Sequence, residues 1–530
     1  MIACIHAACA ESLPCKNKSD PYSDLVIPGW NDYVKDKHSE ARNAFLDWVL
    51  MGKPRYGPAY HWMRKTRSQF KLALRYCRQH EDSIRCDFAA ASLANKDYNK
   101  FWSSIRKTNN NNASRYANVI DGCNNDVDIA DRWRVHFEQL YNSIAVDESK
   151  NIFFSRFSEV CNQPGHNEFV ITVHDLQYAY RKQKFGKAQG SDGVHMESIV
   201  YGGTRLCVHL CILFNLFLKF GVLPKSFMHS VIVPLVKNKT GNLSDINNYR
   251  AIAICSAFCK IFETVIADCL HSVSEFDKFQ FGFKPQHSTS VCTKVFKDTV
   301  DYYRSRGSHV FTCFVDFKKA FDNVNYWKLL IKLIDDNVNR NIIKVMAFWF
   351  SSQECIVRWR NACSSSFCVS NGTRQGGVLS PYLFTRYIRE LIGEISCSNV
   401  GCKISGHVIN ILVYADDIVL IAPSWRALQK LLTILYNHAA AIDMSCNINK
   451  TVAMVFAPKN RQMVVCAEFP LLNIGNSFIQ YVSNFKYLGH IITHNLLDDD
   501  DVHREVCNMY VRTNMLIRKF HKCSLHVKIL

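Results

Sequence analysis

Acid is in short supply in this 530-residue chain: 46 Asp and Glu stand against 64 Lys and Arg, a formal net charge of +18. A folded protein this basic suits a polyanionic partner, most often nucleic acid. A secretory signal is missing too, because the opening MIACIHAACAESLPC has no basic stretch followed by an apolar one. The most apolar helical run, LCVHLCILFNLFLKF (206–220), is broken by His209 and Asn215 and is short for a membrane span, so it reads as a buried core helix. The 23 cysteines have no zinc-finger spacing, and a disulfide framework is not expected in so long a chain without a signal. There is no internal repeat, and one low-complexity tract, the asparagines at 109–112, reads as a flexible connection. These absences predict a reduced, intracellular protein of the nucleus or cytoplasm with no membrane partner. Hydrophobic residues at 48% supply enough material for a large core.

What is present falls into two patterns. Before the asparagine tract the chain is helical and basic. There GKPRYGPAYHWMRKTRSQFKLALRYCRQ sets Arg64, Lys65 and Arg67, with other cations, among Tyr60, Trp62 and Phe70. Cations interleaved with aromatics suit a phosphate backbone and unstacked bases. A helix whose charges simply face water is the plain alternative. After the tract, short apolar strands alternate with helices: FTCFVDF (311–317), SPYLFTRYIRELIGEI (380–395), ILVYADDIVLI (411–421), WRALQKLLTILYNHAAAI (425–442) and VAMVFA (452–457). This alternation of element types points to an α/β fold.

The chemistry is carried by acids where the pattern asks for apolar residues. Asp416 and Asp417 interrupt a run that otherwise belongs in a core. Buried acids must be hydrated, paired or given a cation. A solvated turn is the ordinary reading, but ordinary turns add Gly or Asn and seldom carry such apolar strands on both sides. Asp316 likewise ends an apolar strand. Three carboxylates brought together on one sheet suit hard Mg²⁺. Two such ions roughly 3.5–4 Å apart stabilise both the attacking and the leaving oxygen of a phosphoryl transfer. The fold would have to close the 100 residues between Asp316 and Asp416.

With those residues in hand, a resemblance emerges. FVDFKKAFDNV, NGTRQGGVLSPYLF, LVYADDIVL, CNINKTVAMVF and FKYLGHII resemble, in order, polymerase motifs A to E of reverse transcriptases. Upstream, VIVPLVKNKTGNLSDINNYRAIAICSAFCKIFE and FQFGFKPQHST resemble the fingers segments of that family, and FGKAQGSDGV resembles a loop of its non-LTR (LINE-like) retrotransposon branch. The resemblance implies a right-hand polymerase fold with an RNA-directed DNA polymerase activity. Its partners would be an RNA template, a DNA primer or target, and dNTPs. Two Mg²⁺ ions would serve as cofactor, with Mn²⁺ able to substitute. It implies that Asp316, Asp416, Asp417 and the Phe317 carbonyl bind metal. Phe321 would exclude the 2′-hydroxyl, Gln375 and Arg374 would lie near nucleotide and template, and Arg250 and Lys237 would contact the triphosphate. Lys450 would act as a general acid toward pyrophosphate.

The resemblance also divides the chain: a helical basic linker over 1–150, a reverse transcriptase domain of fingers and palm over 165–495 with its core at about 217–493, and the start of a truncated thumb over 496–530. Departures are few. Gln189 and Ala251 stand where relatives have proline, and Gly377 stands where many have cysteine. None removes a metal ligand. An RNA-dependent RNA polymerase shares the two-metal palm, but Phe321 and the YADD core argue against it. A noncatalytic nucleic-acid-binding derivative of such an element, its enzyme function lost, is the rival of a different class.

Overall fold

The computed structural model describes residues 1–12, 29–108, 117–162, 169–273, 277–460, 468–521 and positions 462, 464, 466, 523 and 525. The asparagine tract lies outside the described residues. Contacts divide the chain into two compact units, Met1–Glu11 with Tyr116–Asp501, and Ser12–Arg115 with Val502–Leu530. This moves the boundaries expected at 150 and 496. The helix Asp126–Leu140 buries Ile129, Trp133 and Phe137 against a sheet of the first unit, which draws the chain from 116 onward into that unit. Residues from Val502 group with the amino-terminal helices instead of standing as a separate third segment.

The first unit is built on two sheets. The larger has six strands in the order Leu472–Ile474, Ser477–Tyr481, Val452–Phe456, Val310–Val315, Asp417–Ala422 and Ile411–Tyr414. Val310–Val315 is buried at every position, as the apolar run FTCFV requires of a strand covered on both faces. The helices Trp425–Ala441 and Thr289–Ser305 pack against this sheet. Leu428, Leu431, Leu432 and Leu435 of the former are fully buried, so the helical stripe read from the sequence is its core face. The second sheet pairs His229–Val236 antiparallel with Tyr249–Ile254 and parallel with Glu354–Trp359. Trp133, Phe137, Tyr249 and Trp359 fill its core, Trp133 meeting Tyr249 edge-on at 4.9 Å.

The apolar run at 206–220 forms the helix Gly203–Phe220, the one helix among the described residues long and apolar enough to cross a membrane by length and composition. Cys207, Leu210, Phe214, Phe217 and Leu218 recur at helical spacing and are buried in the main core. That face packs as a core helix does, while Val208, Ile212, Leu216 and Phe220 on the same helix are exposed.

The second unit is helical, with Lys35–Leu50, Pro58–Gln79, Glu81–Ala94 and Tyr98–Thr108 in its amino-terminal part. Its core is small: Val34, Cys77 and Ile84, flanked by Trp30, Phe70, Ala73 and Leu74. Pro58–Gln79 opens with proline in its first turn, where the missing N–H would lack a helical partner anyway. It buries Met63, Thr66 and Cys77 on one side.

Candidate active site

Strand register closes the distance between the acids. Asp417 pairs with Tyr414, so Ala415 and Asp416 form a two-residue turn. On the other side Val315 pairs with Ile418, which leaves Asp316 just past the pair, across from Asp417. All three carboxylates therefore share one end of the larger sheet. The sequence dictates each half of this, since apolar strands stop where their acids begin. The pairing of the halves is tertiary.

The chain after Asp316 is fixed by the segment following the helix Trp425–Ala441. Asn447 donates its amide to the Asp316 carbonyl (2.7 Å) and its side-chain Nδ2 to Asp316 Oδ2 (3.0 Å). Lys318 donates its amide to the Ser445 carbonyl, forming a bridge between Phe317 and Cys446. In such a bridge the flanking residues supply the hydrogen bonds, so the Phe317 carbonyl is not used by it.

Beside Asp316 and Asp416, which line it, opens a cleft of about 960 Å³; Asp417 is not among its lining residues. Asp316, Phe317, Phe321, Gln375, Asp416, Arg250, Lys237 and Lys450 all line it. Phe321 is held in place by a stacked contact with Phe384 (4.1 Å between centroids) and an edge contact with Phe283. Arg250 and Lys237 lie at one end of the strand pair His229–Val236 and Tyr249–Ile254, where Leu235 pairs with Arg250. Lys237 Nζ donates to the Asn247 carbonyl. Burial and the neighbouring Arg250 hold the Lys237 ammonium below its ordinary pKa. Lys450 Nζ stands 3.9 Å from Asp316 Oδ2 on a largely exposed side chain.

Electrostatically the acids are unsettled. Burial, then Asp416 and Asp316, push Asp417 up to about 6. Asp416 is raised by burial and by Asp316, with Arg250 opposing. Neither Asp416 nor Asp417 forms an ion pair with a described residue. Hard carboxylate oxygens crowded without a counter-charge suit a divalent cation.

Arg374 departs from expectation. It does not line the cleft. Its guanidinium is tied to Gln353 Oε1 (2.7 Å), Ser230 Oγ (3.2 Å) and Cys255 Sγ (3.4 Å), and lies over the Trp349 ring. The cause is chemical: Glu263, raised to about 7 by burial, and the neighbouring buried thiols Cys255 and Cys259 form a polar pocket that needs a positive charge. Those three groups lie close enough together to hold a metal ion, and the guanidinium meets them at Cys255 Sγ.

Other cleft residues were not singled out from the sequence. His136 and Gln139 reach the cleft from the helix Asp126–Leu140. Burial and the cations Lys319, Arg132 and Lys237 lower His136 to about 4, so it is neutral at physiological pH. Asp322, next to Phe321, is buried to 8% exposure, its Oδ1 has no hydrogen-bond partner, and burial raises it to about 6. Asn447 lay inside the motif that supplied Lys450, and an amide immediately after a bridge residue carries no sequence signal of its own.

The family model for "Reverse transcriptase (RNA-dependent DNA polymerase)" matches residues 236–492, which take in the whole six-stranded sheet and Asp316, Asp416 and Asp417. The chain carries a reverse transcriptase domain. It is 25% identical over 374 residues to the RNA-directed DNA polymerase from mobile element jockey of Drosophila funebris, covering 68% of this chain and 39% of that protein. It is 25% identical over 332 residues to a Pol polyprotein from the type-1 retrotransposable element R2 of Popillia japonica, covering 61% and 45%. The chain thus spans less than half the length of these relatives. Among solved structures, apo telomerase from Candida tropicalis covers 55% of this chain at 13% identity and a TM-score of 0.36, too slight a likeness to argue from. The retrotransposon resemblance read from the ordered motifs agrees with these relatives.

Proposed function

We propose that this chain is an RNA-directed DNA polymerase of the non-LTR retrotransposon type, extending a DNA 3′-hydroxyl on an RNA template with dNTPs. The observation that carries the reading is the meeting of Asp316, Asp416 and Asp417 at one sheet end, beside a cleft that also holds Phe321 and Arg250, with the Asp416 and Asp417 carboxyls raised by burial and by the charge of neighbouring carboxylates. Asp316, Asp416, Asp417 and the Phe317 carbonyl would hold two divalent ions, Mg²⁺ or Mn²⁺. When bound, such ions stabilise charge on the attacking and leaving oxygens of the transfer.

The rest is positioning and charge stabilisation by the chain itself. Arg250 and Lys237 face the triphosphate. Phe321, pinned by Phe384, occupies the space a 2′-hydroxyl would need. Gln375 lines the nucleotide side of the cleft, while Arg374 acts one step removed, by fixing the loop that carries Gln375. Lys450, beside Asp316, is placed to give a proton to departing pyrophosphate. Arg64, Lys65 and Arg67 of the helical unit bind nucleic-acid backbone. These substrates put the protein's work in the nucleus or cytoplasm.

Extension of a DNA primer on an RNA template in Mg²⁺ or Mn²⁺ tests the reading. Incorporation that requires Asp416 supports it. Binding of RNA without any incorporation by the intact chain in either metal overturns it and leaves a noncatalytic binder.

A further inference from the structure

The turn that carries the acids is one the backbone does not favour. Ala415, first of its two residues, has φ of +58°. That region is normally given to glycine in two-residue hairpins, because a β-carbon crowds the backbone there. The strands on either side fix only the ends of the turn, so something further has to hold it.

That something is the segment FQFGF (279–283), one hundred and more residues upstream. Val413 donates its amide to the Phe279 carbonyl (2.9 Å) and Phe281 donates to the Val413 carbonyl (2.7 Å), which lays the segment alongside the hairpin. Between them the Gln280 side chain, at 1% exposure, turns onto the turn itself. Its Oε1 accepts the Ala415 amide (3.0 Å) and the Gly282 amide (2.8 Å), and its Nε2 donates to the Ala415 carbonyl (3.3 Å). Gly282 completes the approach: a β-carbon there would stand 2.4 Å from the Ala415 nitrogen.

We propose that Gln280 is a positioning residue for nucleotide transfer, its carboxamide clamping the Ala415–Asp416 turn and so fixing Asp416 and Asp417 relative to Asp316. A carboxamide suits this place. It offers donor and acceptor together, matching both backbone groups of Ala415, and brings no charge toward two adjacent carboxylates. A glutamate would offer only acceptors and repel both acids. The bonds reach across 135 residues to the turn, not into the glutamine's own segment, apart from the one to Gly282.

The inference rests on the metal-binding reading of the acids, and three measurements on the full chain separate the two. Gln280→Met keeps length and burial but removes every clamp bond. Hydrogen exchange at the Ala415 amide reports the clamp without reference to activity, and Mn²⁺ binding followed by electron paramagnetic resonance reports the carboxylates. Steady-state extension reports the consequence. We expect exchange at Ala415 at least about tenfold faster, weaker Mn²⁺ binding, and kcat down at least about tenfold with KM for dNTP within about twofold. Adding Ala415→Gly, which removes the need to hold a β-carbon at positive φ, should restore most of the lost kcat. A packing role alone would lower thermal stability, leave Ala415 exchange and Mn²⁺ affinity at parent values, and show no rescue by glycine; that result overturns the clamp. If the parent chain extends no primer, the polymerase reading fails, while exchange and Mn²⁺ binding still decide the clamp. Should Gln280→Met not fold, Gly282→Ala pushes on the same turn and is read the same way, unchanged Mn²⁺ affinity again counting against the clamp.

Discussion

In the reverse transcriptase unit, the important charges stand at the ends of strands that are otherwise wholly buried. Asp316 follows Val310–Val315, and Asp417 opens a strand whose next five residues are buried. In the helical unit they run along one flank of Pro58–Gln79. There Arg64, Arg67, Lys71, Arg75 and Arg78 recur at helical spacing, all exposed, over about 21 Å of helix. The acids are held by register, a strained turn and side-chain bonds, and burial raises the proton affinity of Asp416 and Asp417. The basic flank is held only by the helix it lies on. Fixed carboxylates in a half-buried cleft suit chemistry, where a displacement of an ångström matters. A row of flexible cations suits a repeating phosphate backbone, where position matters little.

The sharpest way to break this contrast is at the turn. Asp416→Asn should abolish extension, by roughly a thousandfold or more if one metal ligand is worth several kcal/mol. Circular dichroism and melting should show the fold intact. Near-normal extension in Mg²⁺ would mean the cleft acids do no chemistry. Next comes the wall of the cleft. Phe321→Val should open space beside the sugar and cut discrimination between dGTP and GTP at least about tenfold, the size of effect a lost steric contact gives. Competition between the two nucleotides measures it, and an unchanged preference for dGTP would remove Phe321 from that role.

On the helical side, replacing Arg64, Lys65 and Arg67 with Ala should weaken binding of unrelated RNAs alike and flatten the salt dependence by roughly one unit of slope per lost phosphate contact. An unaltered slope would make that flank a solvated surface.

The smallest effect concerns stability in the absence of metal. The folded Asp417 carboxyl titrates near 6 against an ordinary 3.8, so the folded chain holds this proton more tightly than the unfolded chain does. Its ionisation therefore costs stability as pH rises from 3.8 through 6, and costs nothing below the ordinary value. Asp417→Asn should accordingly stabilise the chain in EDTA by about 1 kcal/mol at pH 7–8, after allowing for solvent in the cleft, with the gain vanishing near pH 4. Urea titrations at the two pH values measure it. Added Mg²⁺ should stabilise the parent and not the variant.

Much of the site was legible because its residues contradict their surroundings. An acid ending an apolar strand stands out, as Asp316, Asp416 and Asp417 do, and the ordered motifs located Phe321, Gln375 and Arg250 in the same cleft. Arg374 misled because a motif position gives neighbours in sequence, not the direction of a side chain. It turned toward Glu263 and Cys255, whose burial only the fold creates. Asp322 and Gln280 went unremarked for a related reason: an acid or an amide among polar neighbours looks ordinary until its partners, or their absence, are visible.

The sequence by itself determined the alternation of strands and helices, where acids interrupt it, and that the chain would have to turn at the two acids Asp416 and Asp417 between two apolar runs. Local periodicity and side-chain chemistry carry that much, since they act over a few residues. Only the tertiary structure decided that Asp316 meets Asp417, that the chain from 116 joins the reverse transcriptase unit, and that Gln280 reaches the turn. Those contacts bridge 100 residues or more, and they form only when burying both partners on a shared sheet outweighs the entropy of closing the chain between them.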